Sequence, residues 1–344
     1  MRKQSFMHRF GNLDAARVNN APINQIGRWS QERLSRIRAS RDYSHCIPNT
    51  KPDLAFLQGN RSEPSITWIG HSTFLIQLHG LNIVTDPVWA RRMALQKRLA
   101  PPGIPLLDMP ESDVVLVSHS HYDHLHMGSL RRLPGQKHLL VPAGLKSKLA
   151  LRGFRDATEL QWWEDEIYRR VKFTFVPAQH WTRRNPWDKN LSHWGGWVIQ
   201  PADGPTVYFA GDSGYFRGFC DIGRKFDIDI ALMPIGAYDP EWYMSAQHVC
   251  PEEALQAFID LGAQYFVPMH YGAFKLADDT PREALERLES ARRKLDIPED
   301  RLFLLQHGET MRFQLDGNAQ ASSAKDDSAH DDFTIMDAKD GFDS

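Results

Sequence analysis

Cysteine is scarce in this chain. Only three of the 344 residues are cysteines, and Cys46, Cys220 and Cys250 are scattered, so they form no CxxC pair. An odd, scattered set argues against a disulfide framework and fits a reducing compartment. We therefore expect the protein in the cytoplasm.

The chain also lacks an excess of charge of either sign and any long apolar run. The formal net charge is −2, so bulk electrostatics do not favour nucleic acid as a partner, and there is no clustered basic stripe that would do so locally. No apolar stretch is long enough for a signal peptide or a membrane span. With 42% hydrophobic residues, the chain has enough apolar side chains for a full core.

Composition divides the chain into three parts. Residues 1–60 are predicted to be an N-terminal extension, residues 61–315 a catalytic domain, and residues 316–344 a disordered acidic tail. Apolar residues at helical spacing in residues 23–37 predict a helix that docks on the main domain. Because this segment is basic, an amphipathic helix in peripheral contact with a membrane is the alternative. Its arginines, together with two just beyond it, are Arg28, Arg33, Arg36, Arg38 and Arg41.

From residue 66 onward, short apolar strands alternate with amphipathic helical patterns. The strands are predicted at 66–69, 73–78, 82–85, 114–117, 172–176, 197–199, 206–210, 228–233 and 265–268, with a further one at 302–305. The helices are predicted at 125–133, 143–151, 251–261 and 282–295. This order indicates an α/β protein whose sheets are covered by outer helices.

Four potential metal ligands lie within six residues, directly after the predicted strand 114–117: His119, His121, Asp123 and His124. Side chains two apart on an extended chain point the same way, and the following turn can carry the last two to the opposite side of a shared cavity. A surface histidine cluster is the alternative. We favour a metal site, because such clusters after a buried strand rarely serve another purpose.

Two metals need more ligands, and three isolated residues at predicted strand ends can supply them: His180, Asp212 and His270. Each alone is weak evidence, because a single histidine is often packed or solvated and an aspartate after glycine often only forms a turn. Together with the cluster they complete a two-metal set. Nitrogen and oxygen ligands without cysteine favour two Zn²⁺ ions per chain, and leave iron or manganese open.

The order of these residues resembles the metallo-β-lactamase superfamily over about residues 66–309. The shared pattern is an H-x-H-x-D-H run, a distant histidine, a Gly-Asp after a strand and a last histidine. The resemblance implies a four-layered αββα sandwich. It also implies a first metal on His119, His121 and His180, a second metal on Asp123, His124 and His270, and Asp212 as the bridge between them.

Several longer phrases resemble one branch, the N-acylphosphatidylethanolamine-hydrolysing phospholipase D family. They are W-I-G-H-S-T at 68–73, T-D-P at 85–87, P-A-Q-H-W at 177–181, W-G-G-W at 194–197, F-A-G-D-S-G-Y at 209–215, P-I-G-A-Y at 234–238 and Q-H-V-C-P-E-E-A at 247–254. The resemblance implies a phosphodiesterase that cleaves N-acylphosphatidylethanolamine or a related phospholipid with a hydroxide held by two zinc ions.

Two other functions stay open at this point. The same ligands serve carbonyl chemistry in related branches, so hydrolysis of a small soluble ester, such as a sugar-phosphate lactone, is the alternative. A non-catalytic zinc-binding protein is the third reading, and we disfavour it because all seven ligands are present.

The resemblance also points to residues around the metals. His248 and His307 match histidines near the family's active site, so with Asp123 they are our candidates for catalysis, although His307 could simply satisfy a turn. His71 and Asp86 also recur in the family. We expect them to orient the ligands by hydrogen bonds, because ligating imidazoles need carboxylate or carbonyl partners.

Aromatic residues are frequent in three loops. The chain has ten tryptophans, and residues 162–163, 181–187 and 238–244 offer aromatic and methionine side chains near the expected site. They could form an apolar mouth for an acyl chain, or they could only fill the core. A homodimer formed through an apolar face also stays open, because no heptad or symmetric signature decides it.

Overall fold

The computed structural model describes residues 9–13, 43, 45–93, 96–313 and 321–323. The helix predicted at 23–37 lies outside the described residues, as do residues 316–320 and 324–344 of the predicted acidic tail. Three residues of that tail, Ala321–Ser323, form a short strand.

The strands, numbered along the chain, are β1 Ser65–Gly70, β2 Thr73–Leu78, β3 Leu81–Thr85, β4 Arg92–Met93, β5 Gln96–Lys97, β6 Val114–Leu116, β7 His138–Pro142, β8 Ala157–Leu160, β9 Asp165–Tyr168, β10 Val171–Val176, β11 Gly196–Pro201, β12 Val207–Phe209, β13 Ile230–Pro234, β14 Tyr265–Met269, β15 Thr310–Phe313 and β16 Ala321–Ser323. An eight-stranded sheet has the order β16-β15-β1-β2-β3-β6-β7-β8, and a six-stranded sheet has the order β14-β13-β12-β11-β10-β9. Strands β4 and β5 form a separate hairpin.

The helices are α1 Leu54–Gly59, α2 Met127–Arg132, α3 Lys146–Ala150, α4 Gly218–Gly223, α5 Glu241–Met244, α6 Pro251–Asp260 and α7 Pro281–Lys294, with 3₁₀ turns at Leu106–Asp108 and Glu299–Arg301. The N-terminus of helix α7 is stabilised, because the Thr280 side chain accepts the Glu283 N–H and Pro281 occupies the first turn. Within the described part of the chain, no helix combines the length and the apolar character that a membrane crossing requires.

The sheets are layered because their strands are apolar on both faces. Along β2, Phe74 and Ile76 join the central core between the sheets, whereas Leu75 belongs to a second core. That second core includes Leu57 of α1 and Leu130 of α2, on the outer face of the larger sheet. Helices α6 and α7 contribute buried residues to the central core from the other side. This arrangement confirms the predicted αββα sandwich.

One predicted strand is wrong. Residues 302–305 make only an isolated bridge, between Leu302 and Phe266 of the edge strand β14. A single ladder bond, Phe303 N–H to the Phe266 carbonyl, holds the segment there. Leu304 is half exposed, and the segment lies beside the edge strand without adding a strand to the sheet.

Strand direction places the functional residues. Strands β3 and β6 are parallel, and β1 runs the same way because two antiparallel pairings separate it from β3. Strands β12 and β14 are likewise co-directional, as is β10 in the same sheet. Residues that follow such strands meet at one end of the layers. Those residues are His71, Asp86, His119, His180, Asp212 and His270.

Candidate metal centre

The three histidines predicted to hold the first metal, His119, His121 and His180, have ring nitrogens close to one another. The distance from His119 Nε2 to His121 Nδ1 is 2.9 Å, and that from His180 Nε2 to His121 Nδ1 is 3.2 Å. Strand β6 ends at Leu116, so these ligands lie on the loop after it and not on the strand itself. The three nitrogens can share one ion.

A second group faces the first across the same loop. His124 Nε2 lies 3.5 Å from Asp123 Oδ2 and 3.2 Å from His270 Nε2. His270 Nε2 lies 3.6 Å from the same carboxylate oxygen. The structure therefore brings Asp123, His124 and His270 together, in the grouping that the resemblance implies.

Asp212 lies between the two groups. Its Oδ2 is 3.1 Å from His124 Nε2, and its Oδ1 is 3.1 Å from His270 Nε2. The Oδ2 atom also lies 3.8 Å from the Nε2 atoms of both His119 and His180. A carboxylate within reach of both groups has the position that a bridging ligand needs.

Burial and charge together make this site suited to cations. Burial, reinforced by the neighbouring imidazoles, holds the pKa of His119 and of His180 well below the ordinary value. The neutral imidazole is the form that ligates metal. Burial also opposes protonation of His270, but Asp212 and Asp123 outweigh it and raise the pKa to about 9. The carboxylates of Asp212 and Asp123 thus favour positive charge in the site.

The donor set fits two divalent ions. His and Asp ligands at tetrahedral or slightly higher coordination are typical of zinc, iron and manganese sites. The ligand atoms of His71, Asp123, His124 and His270 all lie within 4.8 Å of one another, and those of His119, His121 and His180 do so as well. The described residues therefore hold two adjoining ligand groups.

Asp86 and His71 support these ligands. Asp86 is fully buried, and its Oδ2 lies 2.6 Å from His124 Nδ1 while its Oδ1 accepts the Ser118 N–H at 2.7 Å. This contact leaves His124 Nε2 free to face a metal. His71 Nε2 lies 3.2 Å from Asp123 Oδ2, and its ligand atom lies within 4.8 Å of those of Asp123, His124 and His270.

The backbone conformation after the strands also positions the ligands. His71, Asp86 and His270 all have left-handed φ angles, of 59°, 32° and 63°, which non-glycine residues adopt only when the surroundings impose them. Gly211 has a φ of 63°, and a Cβ there would lie 2.6 Å from Ser118 Cβ. Glycine thus lets Asp212 approach the loop that follows β6.

The loop that carries four of the ligands is held from outside by Arg184. Its guanidinium donates to the carbonyls of Ser120 and Leu125 at 2.7 and 2.8 Å, and lies 4.1 Å from the centre of the Tyr122 ring. Sequence reasoning missed this residue. A loop arginine that contacts main-chain carbonyls leaves no periodic pattern in the sequence from which the contact could be predicted.

A cavity of about 310 Å³ opens onto the metal ligands. Trp181, Tyr243 and Met244 line it, so part of the predicted apolar mouth is present. Trp162 and Trp163 instead pack against the central core. His248 also lines the cavity.

The imidazole of His248 is held beside the bridging aspartate. Its Nδ1 lies 3.9 Å from Asp212 Oδ2, and this buried nitrogen has no hydrogen-bond partner among the described residues. Burial lowers the pKa of His248 to about 4. A neutral imidazole with an unused nitrogen is therefore available to a molecule in the cavity.

His307 is not brought together with the other predicted residues. Its side chain is fully buried, meets the Trp68 ring edge-on at 4.5 Å and packs against Gly70, and it does not line the cavity. Burial, then the nearby Arg98 charge, lowers the pKa of His307 to about 3. These contacts support a structural role; a catalytic one stays a prediction.

We expect His307 to make folding stability depend on pH. The unfolded chain takes up a proton on this residue near pH 6.5 and the folded chain does not, so stability is lost as the pH falls below 6.5. Between pH 8 and pH 5 the free energy of unfolding should fall by about 2 kcal/mol more in the wild type than in His307→Gln. Urea titrations at both pH values measure the difference. Equal pH dependence, with a large loss of kcat, would instead indicate catalysis.

Comparison with known proteins agrees with this geometry. Residues 81–271 match the profile of the beta-lactamase superfamily domain. N-acyl-phosphatidylethanolamine-hydrolyzing phospholipase D 1 of Caenorhabditis elegans is 35% identical over 256 residues, covering 67% of this chain and 70% of its own. An uncharacterized protein of Mycobacterium tuberculosis is 34% identical over 297 residues, covering 82% of this chain and 77% of its own.

A solved structure agrees as well. Igni18, a metallo hydrolase of the archaeon Ignicoccus hospitalis, is 26% identical and superposes with a TM-score of 0.57, covering 74% of this chain and 99% of its own. The protein is therefore a metal-dependent hydrolase, and it belongs to the metallo-β-lactamase superfamily, in the branch that resembles N-acylphosphatidylethanolamine-hydrolysing phospholipase D.

Proposed function

We propose that the protein is a phospholipase D-type phosphodiesterase that hydrolyses N-acylphosphatidylethanolamine or a related phospholipid. The observation that carries the proposal is the make-up of one cavity, in which metal ligands and apolar side chains lie side by side. The resemblance to the nematode phospholipase D supports the same substrate class.

The two surfaces of the cavity suit the two parts of a lipid. The cavity lining includes His121, Asp123 and Asp212, where bound cations would face a phosphodiester. It also includes Met244, Tyr243 and Leu276, and flexible or aromatic apolar side chains accommodate acyl chains. A small soluble ester would need the first surface but not the second.

The residues divide the chemistry between them. His119, His121 and His180 would hold one zinc ion, Asp123, His124 and His270 the other, and Asp212 would contact both. When bound, such ions supply a water nucleophile at neutral pH and polarise a phosphoryl oxygen. His248, whose Nδ1 has no hydrogen-bond partner among the described residues, would hydrogen-bond the leaving oxygen and assist proton transfer to it. Asp86 and His71 keep the ligands oriented.

A paired assay tests the substrate. Release of phosphatidic acid from vesicles that contain N-acylphosphatidylethanolamine is compared with hydrolysis of a soluble lactone and of bis(p-nitrophenyl) phosphate, each with and without a chelator. We expect chelator-sensitive lipid cleavage at the highest kcat/KM. Turnover of the lactone without lipid cleavage would refute the phospholipid substrate while leaving the hydrolase intact. Metal analysis of the active protein tests zinc against iron and manganese.

A cavity-wall variant makes this assay sharper. Leu276 is about 39% exposed, and Leu276→Asn should raise KM for the lipid about tenfold, since burying such a side chain against an acyl chain contributes 1.5 to 3 kcal/mol. Its kinetics with bis(p-nitrophenyl) phosphate should not change. Leu304→Asn is the matched control, because Leu304 is 52% exposed and does not line this cavity. Equal effects on both substrates would contradict an acyl-binding wall.

A further inference from the structure

A short N-terminal arm, residues 9–13, lies against the loop that contains His180. The Phe10 N–H donates to the Asn190 carbonyl at 2.9 Å, and the Phe10 ring stacks on His193 with 4.4 Å between centroids. Arg9 donates to the Lys189 carbonyl. These contacts bring the next polar residue of the arm, Asn12, to the metal centre.

The side-chain amide of Asn12 forms two hydrogen bonds with the main chain of His180. Its Nδ2 donates to the His180 carbonyl at 2.9 Å, and its Oδ1 accepts the His180 N–H at 3.0 Å. The same oxygen accepts the indole N–H of Trp194 at 3.0 Å. The oxygen faces two donors and the nitrogen faces an acceptor, so the pairing fixes which way the amide points.

His180 depends on this contact because it lies beyond the end of its strand. Strand β10 ends at Val176, and His180 is fully buried, so its main-chain N–H and C=O have no ladder partner there and need another. Asn12 supplies both bonds in the manner of a neighbouring strand. The ring has a second support, since its Nδ1 lies 2.9 Å from the Gln247 carbonyl.

We propose that Asn12 is a positioning residue for the first metal ion, which acts by fixing the main chain of His180 and thereby the direction of its Nε2. Asn12 lies outside the matched superfamily domain, residues 81–271. The N-terminal arm is thus a part of the metal centre as well as an extension of the domain. The His180 Nε2 lies 3.2 Å from His121 Nδ1, so a small rotation of the 180 peptide would separate two ligands of one ion.

The test is a metal titration of the Asn12→Leu variant, whose side chain has a similar size but makes no hydrogen bond. Metal-free protein is titrated with Co²⁺ in competition with a chromophoric chelator, and the d–d absorption of bound Co²⁺ is recorded. We expect two ions to bind the wild type. In the variant, one ion should bind about 10- to 100-fold more weakly, as for other residues that orient a ligand, with an altered spectrum, while the affinity for the other ion is retained.

The matched control is Asn190→Leu. Asn190 Oδ1 accepts the Thr182 N–H at 3.1 Å in the same loop and does not contact the His180 main chain. Wild-type affinity for both ions in Asn12→Leu, or the same loss in Asn190→Leu, would overturn the proposal. If Asn12→Leu does not fold, Asn12→Ser is used with the same criteria. The titration needs no substrate, so its outcome is separate from that of the lipid assay.

Discussion

Asp212→Asn is expected to lower kcat at least about a thousandfold, because the substitution removes a negative charge that both ligand groups share and with it much of the electrostatic stabilisation that the ions provide. The carboxylate lies within 3.1 to 3.8 Å of ring nitrogens from both groups. Asparagine preserves the shape but not the charge. Metal content of the dialysed variant should fall from two ions towards one or none, as measured by atomic emission.

The control for this prediction is Asp229→Asn. Asp229 directly precedes β13 at the opposite end of the same sheet, where its carboxylate accepts the Thr206 N–H at 2.7 Å. That variant should keep its metal and its kcat. If Asp212→Asn retained both ions and most of its activity, Asp212 would not be the bridge.

His248→Ala is expected to lower kcat by about 100- to 10,000-fold, the range that a positioned proton-transfer group contributes, while both ions stay bound. Its Nδ1 lies 3.9 Å from Asp212 Oδ2, and its ring lies against two ligands, with centroids 5.2 Å from His180 and 5.5 Å from His270. The measurement is kcat for the lipid together with metal content. The pair of readouts separates a role in chemistry from a role in holding metal.

Two outcomes would contradict this role. Unchanged turnover of the preferred substrate would remove His248 from the mechanism, and parallel loss of activity and metal would make it a support for the ligands. His138→Ala is the matched control. His138 lies at the start of β7, away from the cavity, where its imidazole lies 2.6 Å from the Asp156 carboxylate and stacks on the Tyr168 ring.

Much of the site could be predicted from the sequence because its ligands follow strands. An apolar strand of the core is recognisable from composition alone, and a histidine or aspartate placed directly after it must lie at the end of a sheet. That reasoning located His119, Asp212 and His270. The grouping of ligands into two sets came from the resemblance, and the distances in the structure agree with it.

The rest could not be predicted, for physical reasons that differ from residue to residue. Asn12 and Arg184 act through main-chain carbonyls far away in the sequence, and such contacts leave no period or spacing to detect. His307 shares a phrase with the family, yet its position under Trp68 depends on how the chain turns after the 3₁₀ segment Glu299–Arg301. The left-handed backbone at His71 and His270 is likewise imposed by packing and not by residue type.

The ligands come from both layers of the sandwich. His119, His121, Asp123 and His124 follow a strand of the larger sheet, whereas His180, Asp212 and His270 follow strands of the smaller one. An ion held by both sets is a cross-link between the layers, and it favours the closed fold by mass action. Chains that have not acquired metal should therefore open more often and be degraded sooner, because proteolysis follows the population of opened molecules. The abundance of this protein in a cell would then report on the supply of metal as well as on gene expression.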